Sequence, residues 1–157
     1  MAENKHLTFL LESEFYGIPI LKVKEIIGLM DITHIPRMPD FVKGVINLRG
    51  KIIPVVDLRI KFGLLQQEYK ERTCIIVIEI NKDGVIKQNG LVVDAVSDVI
   101  AIDDANVEPP LSIGNSAGNN FLTGIGKAKE KVILLLNVDK IFTDEEIDAI
   151  TNVNEGI

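Results

Sequence analysis

Apolar side chains recur along the chain in short runs bounded by turn residues: Leu7 to Leu11, Tyr16 to Ile20, Ile32 to Ile35, Val45 to Leu48, Ile52 to Val56, Cys74 to Ile80, Val85 to Val93, Ile100 to Ile102, Leu122 to Ile125 and Val132 to Leu136. Runs this short at such spacing predict about ten strands in a sandwich or barrel. The 24 isoleucines and 15 valines, about a quarter of the chain, strengthen that prediction. Side chains branched at Cβ fit a pleated, half-buried surface better than a helix.

Three segments break the strand pattern. Leu21, Val23, Ile26 and Ile27 have a short helical spacing that Gly28 stops, and Leu58 to Phe62 reads as a single turn ended by Gly63. Thr143 followed by Glu146 is a capping box, Asp144 and Glu145 suit the positive end of a helix, and Ile147, Ile150 and Val153 share a face. A C-terminal helix over 143–153 is expected, closing the core.

The pattern also repeats. Adding 80 to Phe41, Gly44, Val45, Lys51, Ile52, Ile53 and Phe62 gives Phe121, Gly124, Ile125, Lys131, Val132, Ile133 and Phe142. Adding 73 to Gly17, Ile18, Ile20, Val23, Ile26 and Ile27 gives Gly90, Leu91, Val93, Val96, Val99 and Ile100. Apolar coincidences arise by chance, but paired Gly and Phe positions at one offset favour duplication of a small β unit. A unit of roughly five strands is too small to bury a large core alone. Two such units should pack together and leave a groove between them.

Composition narrows the function classes. A chain of 157 residues, 46% hydrophobic and 25% charged, has the size of one domain or of two small subdomains sharing a core. It needs no metal or disulfide staple and is too apolar for intrinsic disorder. Its 17 basic and 23 acidic residues leave a net charge of −6, with the basic ones scattered. Nucleic acid and anionic membrane are therefore poor partners. Cys74, the only cysteine, lies in an apolar run and fits a buried role in a reducing compartment. The first twenty residues lack a secretory pattern, and no apolar run approaches the ~18 residues of a membrane span. A soluble, cytoplasmic protein is expected.

Candidate chemistry is sparse. His6 and His34 are not at metal-ligand spacing from each other or from Cys74. Asp94, Asp98, Asp103 and Asp104 lack the glycine placement of a calcium loop and read as solvated loop charge. Gly124-Ile125-Gly126-Lys127 has neither the upstream glycine nor the following hydroxyl residue of a phosphate loop, and reads as a strand bend or bulge. The polar stretch Gly114 to Asn120 behind Glu108-Pro109-Pro110-Leu111 reads as a projecting loop. No catalytic residues, metal or cofactor are expected.

The densest stretch runs from Ile35 to Phe62. Pro36 and Pro39 stiffen its approach, Phe41 and Val42 anchor it, and Gly44 permits a close approach or an unusual dihedral. Val45 to Leu48 and Lys51 to Arg59 form a hairpin turned by Arg49-Gly50. Pro54 cannot donate to a ladder, which places it at an edge or bulge. An edge strand beside exposed apolar residues is where another β protein docks.

Gly44-Val45-Ile46-Asn47-Leu48-Arg49-Gly50 followed by Pro54-Val55-Val56-Asp57-Leu58-Arg59 resembles the signature of CheW-type chemotaxis coupling proteins. The resemblance continues in Tyr16-Gly17-Ile18, Val23-Lys24-Glu25-Ile26, Val92 to Val99 and Phe121 to Gly126, and covers about residues 7–150. It implies a mainly β fold of two five-stranded, Src-homology-3-like barrels on a shared hydrophobic core. The first subdomain would take roughly residues 14–80, and the second roughly 81–142 plus the N-terminal strand.

The resemblance further implies an adaptor without enzymatic activity. Such a protein links the cytoplasmic hairpin tip of methyl-accepting chemoreceptors to the regulatory domain of the histidine kinase CheA, at receptor arrays on the inner face of the membrane. Carried onto this chain, the receptor-facing set is Val23, Glu25, Gly44 and Arg49, with Glu25 and Arg49 able to pair as opposite charges. Asp57 and Arg59 are assigned to structure. Leu111 and Ile113 suit a kinase contact, or equally a loop tucked onto its own barrel. The alternatives are a regulatory-domain fragment of a larger kinase or fused coupler, and a small β-barrel enzyme built on the acidic cluster.

Overall fold

The computed structural model describes residues 4–109, 121–143, 145, 146, 148 and 149. Its strands are β1 (Lys5–Leu11), β2 (Glu14–Pro19), β3 (Val23–Gly28), β4 (Val42–Leu48), β5 (Lys51–Asp57), β6 (Cys74–Lys82), β7 (Val85–Val93), β8 (Ala95–Ala101), β9 (Val107–Glu108), β10 (Leu122–Ala128) and β11 (Lys131–Leu136). A one-turn helix, α1 (Leu58–Lys61), follows β5. One sheet has the order β3-β6-β7-β5-β4 and the other β8-β1-β2-β11-β10-β9.

The two sheets share one plan. In the first, β4 and β5 pair from Leu48 opposite Lys51 to Val42 opposite Val56, with a bulge between Val42 and Gly44. Eighty residues later, β10 and β11 pair from Ala128 opposite Lys131 to Leu122 opposite Leu136, with the bulge between Leu122 and Gly124. Val55 lies parallel to Gly90 in one sheet, as Leu135 lies parallel to Gly17 in the other. Thr33 bridges Val45 and Glu108 pairs with Ile125, which closes each sheet into a barrel at the same point. The repeat seen in the sequence is thus a repeat of register.

One barrel is contiguous, from β3 to β7. The other is split, because the N-terminal hairpin β1–β2 fills the place that β6–β7 fills in its mate. The chain crosses between barrels at Ile20–Lys22 and again at Asp94. Consequently β2 lies in the split barrel and β7 in the contiguous one, across the expected divisions near 14 and 80. The reason is local: β1–β2 and β6–β7 each turn through two residues, which ties their strands too closely to be shared between barrels.

The expected helix at Leu21 to Ile27 is instead β3, preceded by a 3-10 turn at Ile20–Lys22. Its burial alternates residue by residue, and Val23, Ile26 and Ile27 are β-branched, so a ladder with β6 wins over a short helix. Pro54 is not on an edge, since β5 pairs on both sides. Val45 opposite it turns its own N–H and C=O towards Thr33, and the β7 pairing begins only at Val55, so the missing Pro54 donor leaves no gap in either ladder.

The shared core joins Leu7, Phe9 and Ile18 of the split barrel to Ile76, Ile78 and Leu91 of the contiguous one. Phe41 stacks on Phe142 with ring centres 5.6 Å apart, and Phe62 stacks on Phe121 at 4.8 Å. Each aromatic pair therefore takes one ring from each barrel. Asp57 caps α1 by accepting the Arg59 N–H at 2.9 Å, and Asn137 does the same for Asp139 at 3.0 Å. The Tyr69 hydroxyl donates to the second Asp57 oxygen at 3.0 Å, and burial, with Asp57 adding, pushes that phenol up.

Thr143 and Glu146 form the expected capping box, with N–H to side-chain bonds of 2.8 and 3.1 Å in the two directions. Glu145, Glu146, Asp148 and Ala149 are helical, and the rest of the expected helix beyond Glu146 lies outside the described residues. Lys61 sits over the Phe41 and Phe142 rings and donates to both Glu146 oxygens. Burial raises the Glu146 carboxyl, but the bonds from Lys61 and Thr143 outweigh it and hold the group below its ordinary value of 4.5. A carboxyl lowered by folding stabilises the fold above its unfolded-state value and loses that contribution as pH falls through the folded one. Glu146→Gln should therefore flatten the fall of the urea midpoint below pH 4.5; an unchanged pH profile would sink this assignment.

Candidate docking site

Arg49 and Gly50 form the two-residue turn of β4–β5, at φ +53° and +88°. Two positive φ values are the mark of a type I′ hairpin, and Gly50 takes its place at no steric cost. The Gly50 N–H also donates to Asn47 Oδ1 at 2.8 Å. The turn carries the Arg49 side chain towards β3, an edge strand. There a register shift between Val23 and Glu25 re-aims the strand. The Arg49 guanidinium donates to Glu25 Oε1, and that hydrogen bond with the carboxylate charge raises its already high pKa.

The pair is open to solvent, with Arg49 69% and Glu25 33% exposed. It therefore orients two charged groups far more than it stabilises the fold. Ile26, next on β3, and Leu21, in the turn before it, are exposed apolar residues. The structure thus brings Glu25 and Arg49 together. Val23 packs half-buried against the shared core. Gly44 lies at the β4 bulge with φ +144°, its Cα against Thr33. Leu111 and Ile113 lie outside the described residues.

A second pair went unnoticed in the sequence. Asp98 on β8 accepts from Lys129 at the β10–β11 turn at 2.9 Å. Lys129, followed by the Val99 N–H bond and the charge of Lys131, outweighs slight burial and lowers the Asp98 carboxyl. Asp98 is Glu25 plus 73 and Lys129 is Arg49 plus 80, and exposed Val99 stands where Ile26 stands. Applying the two offsets to charged residues would have found it.

The remaining candidates disperse. Asp94 is not solvated loop charge: its carboxylate accepts from the buried Arg59 at 2.7 Å. His6 bonds the Asn4 carbonyl, and burial lowers its pKa. Burial likewise pushes the Cys74 thiol up, away from thiolate reactivity. Among the described residues no three His, Cys, Asp or Glu side chains cluster to hold a metal, and no helix is long and apolar enough to cross a membrane. Gly124 to Lys127 lies within β10, next to its bulge.

Duplicated barrels, each presenting an edge strand that carries one member of an ion pair and, next in sequence, an exposed aliphatic, define a docking scaffold. The chain matches the CheW-like domain over residues 5–146. It is 40% identical over 150 residues to the chemotaxis protein CheW of Klebsiella aerogenes, covering 96% of this chain and 88% of that one. It is 31% identical over 157 residues to that of Thermotoga maritima, covering 100% and 95%. The crystal structure of the scaffolding protein TtCheW from Thermoanaerobacter tengcongensis superposes with a TM-score of 0.81 at 38% identity, covering 92% of this chain and 95% of that one. This chain belongs to the CheW-like family and is a chemotaxis coupling adaptor.

Proposed function

We propose that the chain couples methyl-accepting chemoreceptors to the histidine kinase CheA as a non-enzymatic part, holding both in a geometry that lets receptor state alter kinase activity. The receptor's cytoplasmic hairpin tip docks on the β3 edge. The Glu25–Arg49 pair carries this reading, because it fixes two opposite charges across an edge strand and a hairpin tip, on a strand that also exposes Ile26. Val23 and Gly44 complete the receptor-facing set. The kinase regulatory domain, itself of this fold, meets the chain at Leu111 and Ile113. The working unit spans residues 7–150, and it acts in the cytoplasm, recruited to receptor arrays without inserting into the membrane.

Pull-down with purified kinase regulatory domain and receptor hairpin fragments tests the reading, which fails if neither is retained. Arg49→Ala should weaken receptor binding about tenfold or more, in the range of residues that anchor an interface. Its urea midpoint should match the parent, because the side chain is exposed. Loss of folding in Arg49→Ala would assign the residue to the fold instead.

A further inference from the structure

We propose that two ionic clasps of opposite polarity, one at each crossover between the barrels, fix the angle between them. Resting on the coupling reading, this makes Arg59, Asp94, Lys22 and Asp139 positioning residues for signal transfer. Asp94 is the single residue joining β7 to β8. Arg59 of the contiguous barrel reaches it through Nη1 at 2.7 Å and bonds Glu12 of the split barrel through Nη2. The Glu12 N–H donates to the same Asp94 oxygen at 2.7 Å, and Arg59 Nε is held by the Leu65 carbonyl at 3.0 Å.

The other crossover, Ile20–Lys22, is held in the mirror sense. Lys22 Nζ donates to Asp139 Oδ2 at 2.9 Å, and the Asn81 N–H donates to Asp139 Oδ1 at 2.8 Å. Asp139 is Arg59 plus 80, and each follows its capping residue, Asn137 or Asp57, by two. Each clasp thus contains a cation, a carboxylate and a backbone N–H from a hairpin end. What differs is the chain location of the charges: the cation stands after the hairpin in one clasp and on the crossover in the other.

The clasps also differ in strength. Arg59 is buried, with 4% of its side chain exposed, although its partners Asp94 and Glu12 are 30% and 45% exposed; in the other clasp neither Lys22 nor Asp139 is buried, at 32% and 29%. A buried guanidinium is shielded from salt, while a pair exposed on both sides is screened by salt and exchanged with water. The Arg59 clasp is the pivot of the joint and the Lys22–Asp139 clasp its catch. An adaptor whose partners sit on different barrels transmits only if this joint has a defined angle.

The test uses the full chain with Cys74→Ser and spin labels at Lys51→Cys and Ala101→Cys, exposed sites on different barrels. Pulsed electron resonance reads the distance between them. Asp139→Lys, which sets two like charges face to face, should broaden the distribution roughly twofold, and Lys22→Glu with Asp139→Lys should narrow it again. Asp139→Asn, a milder change that spares folding, should broaden it less and abolish its dependence on salt. In a reconstituted array, Asp139→Lys should lower receptor control of the kinase about fivefold or more, with recovery in the swapped pair, while each partner alone still binds. An unchanged distribution in both Asp139 variants overturns the proposal, as does a broadened one with normal kinase control. Failure of the parent chain to bind either partner overturns the coupling reading instead, leaving the distance result to stand by itself.

Discussion

Gly44→Ala should lower the stability of the fold by about 2–4 kcal/mol, read as a shift in the urea midpoint at constant slope. The chain passes Gly44 at Thr33, whose N–H donates to the Val45 carbonyl at 2.8 Å and whose carbonyl accepts the Val45 N–H at 2.9 Å. That exchange closes the contiguous barrel between its edges. A Cβ on residue 44 would lie 2.0 Å from the Thr33 oxygen and 2.7 Å from its carbonyl carbon. Both are backbone atoms, so no rotamer change relieves the clash. The backbone at φ +144° is also one that side-chain-bearing residues avoid. Alanine must therefore break the closure or open the bulge.

Gly124→Ala is the internal control, since it occupies the same position in the split barrel. There the added methyl meets Val107 Cγ1 at 2.7 Å and the Glu108 oxygen at 3.2 Å. The closer neighbour is a valine methyl and not backbone, and no positive φ adds strain, so a smaller loss of about 1–2 kcal/mol is expected. A Gly44→Ala protein with an unchanged urea midpoint but lost receptor binding would show that the glycine is read by the partner, and the closure argument would fail.

Strands and duplication were legible because both are written in local spacing: Gly44 and Gly124, Phe41 and Phe121 fall at one offset, and the registers follow them. The helix expected at Leu21 to Ile27 failed because four apolar residues over seven positions fit two periods. The arbiter, β6, lies some fifty residues away. Splitting of the second barrel was illegible for a related reason. Whether β1–β2 joins the N-terminal or the C-terminal strands is decided by non-local contacts such as Leu134 beside Tyr16. At the site, Glu25 and Arg49 came from the resemblance, since charge type alone does not pair residues 24 apart. Asp94 was misread because nothing local signals that Arg59 would be buried against it.

Replacing Phe142 by alanine is expected to lower stability by about 3–5 kcal/mol, with the urea midpoint as the measurement. The ring is 4% exposed, stacks on Phe41 at an interplanar angle of 18°, and lies under the Lys61 ammonium. Its loss removes core volume and one face of a joint between barrels. The stacking exchanges repeat partners: Phe41 meets Phe142 and Phe62 meets Phe121, although Phe41 and Phe121 are the repeat mates. This crossing is what a two-fold relation between like barrels requires, and it predicts a pattern of coupling as well as a size of effect. A double-mutant cycle on Phe41→Ala and Phe142→Ala should give an interaction of about 0.5–1.5 kcal/mol. The cycle on Phe41→Ala and Phe121→Ala should be additive within about 0.5 kcal/mol. Equal coupling in the two cycles would mean that the rings act through a common core and not as crossed pairs, and the two-fold account of the joint would have to be abandoned.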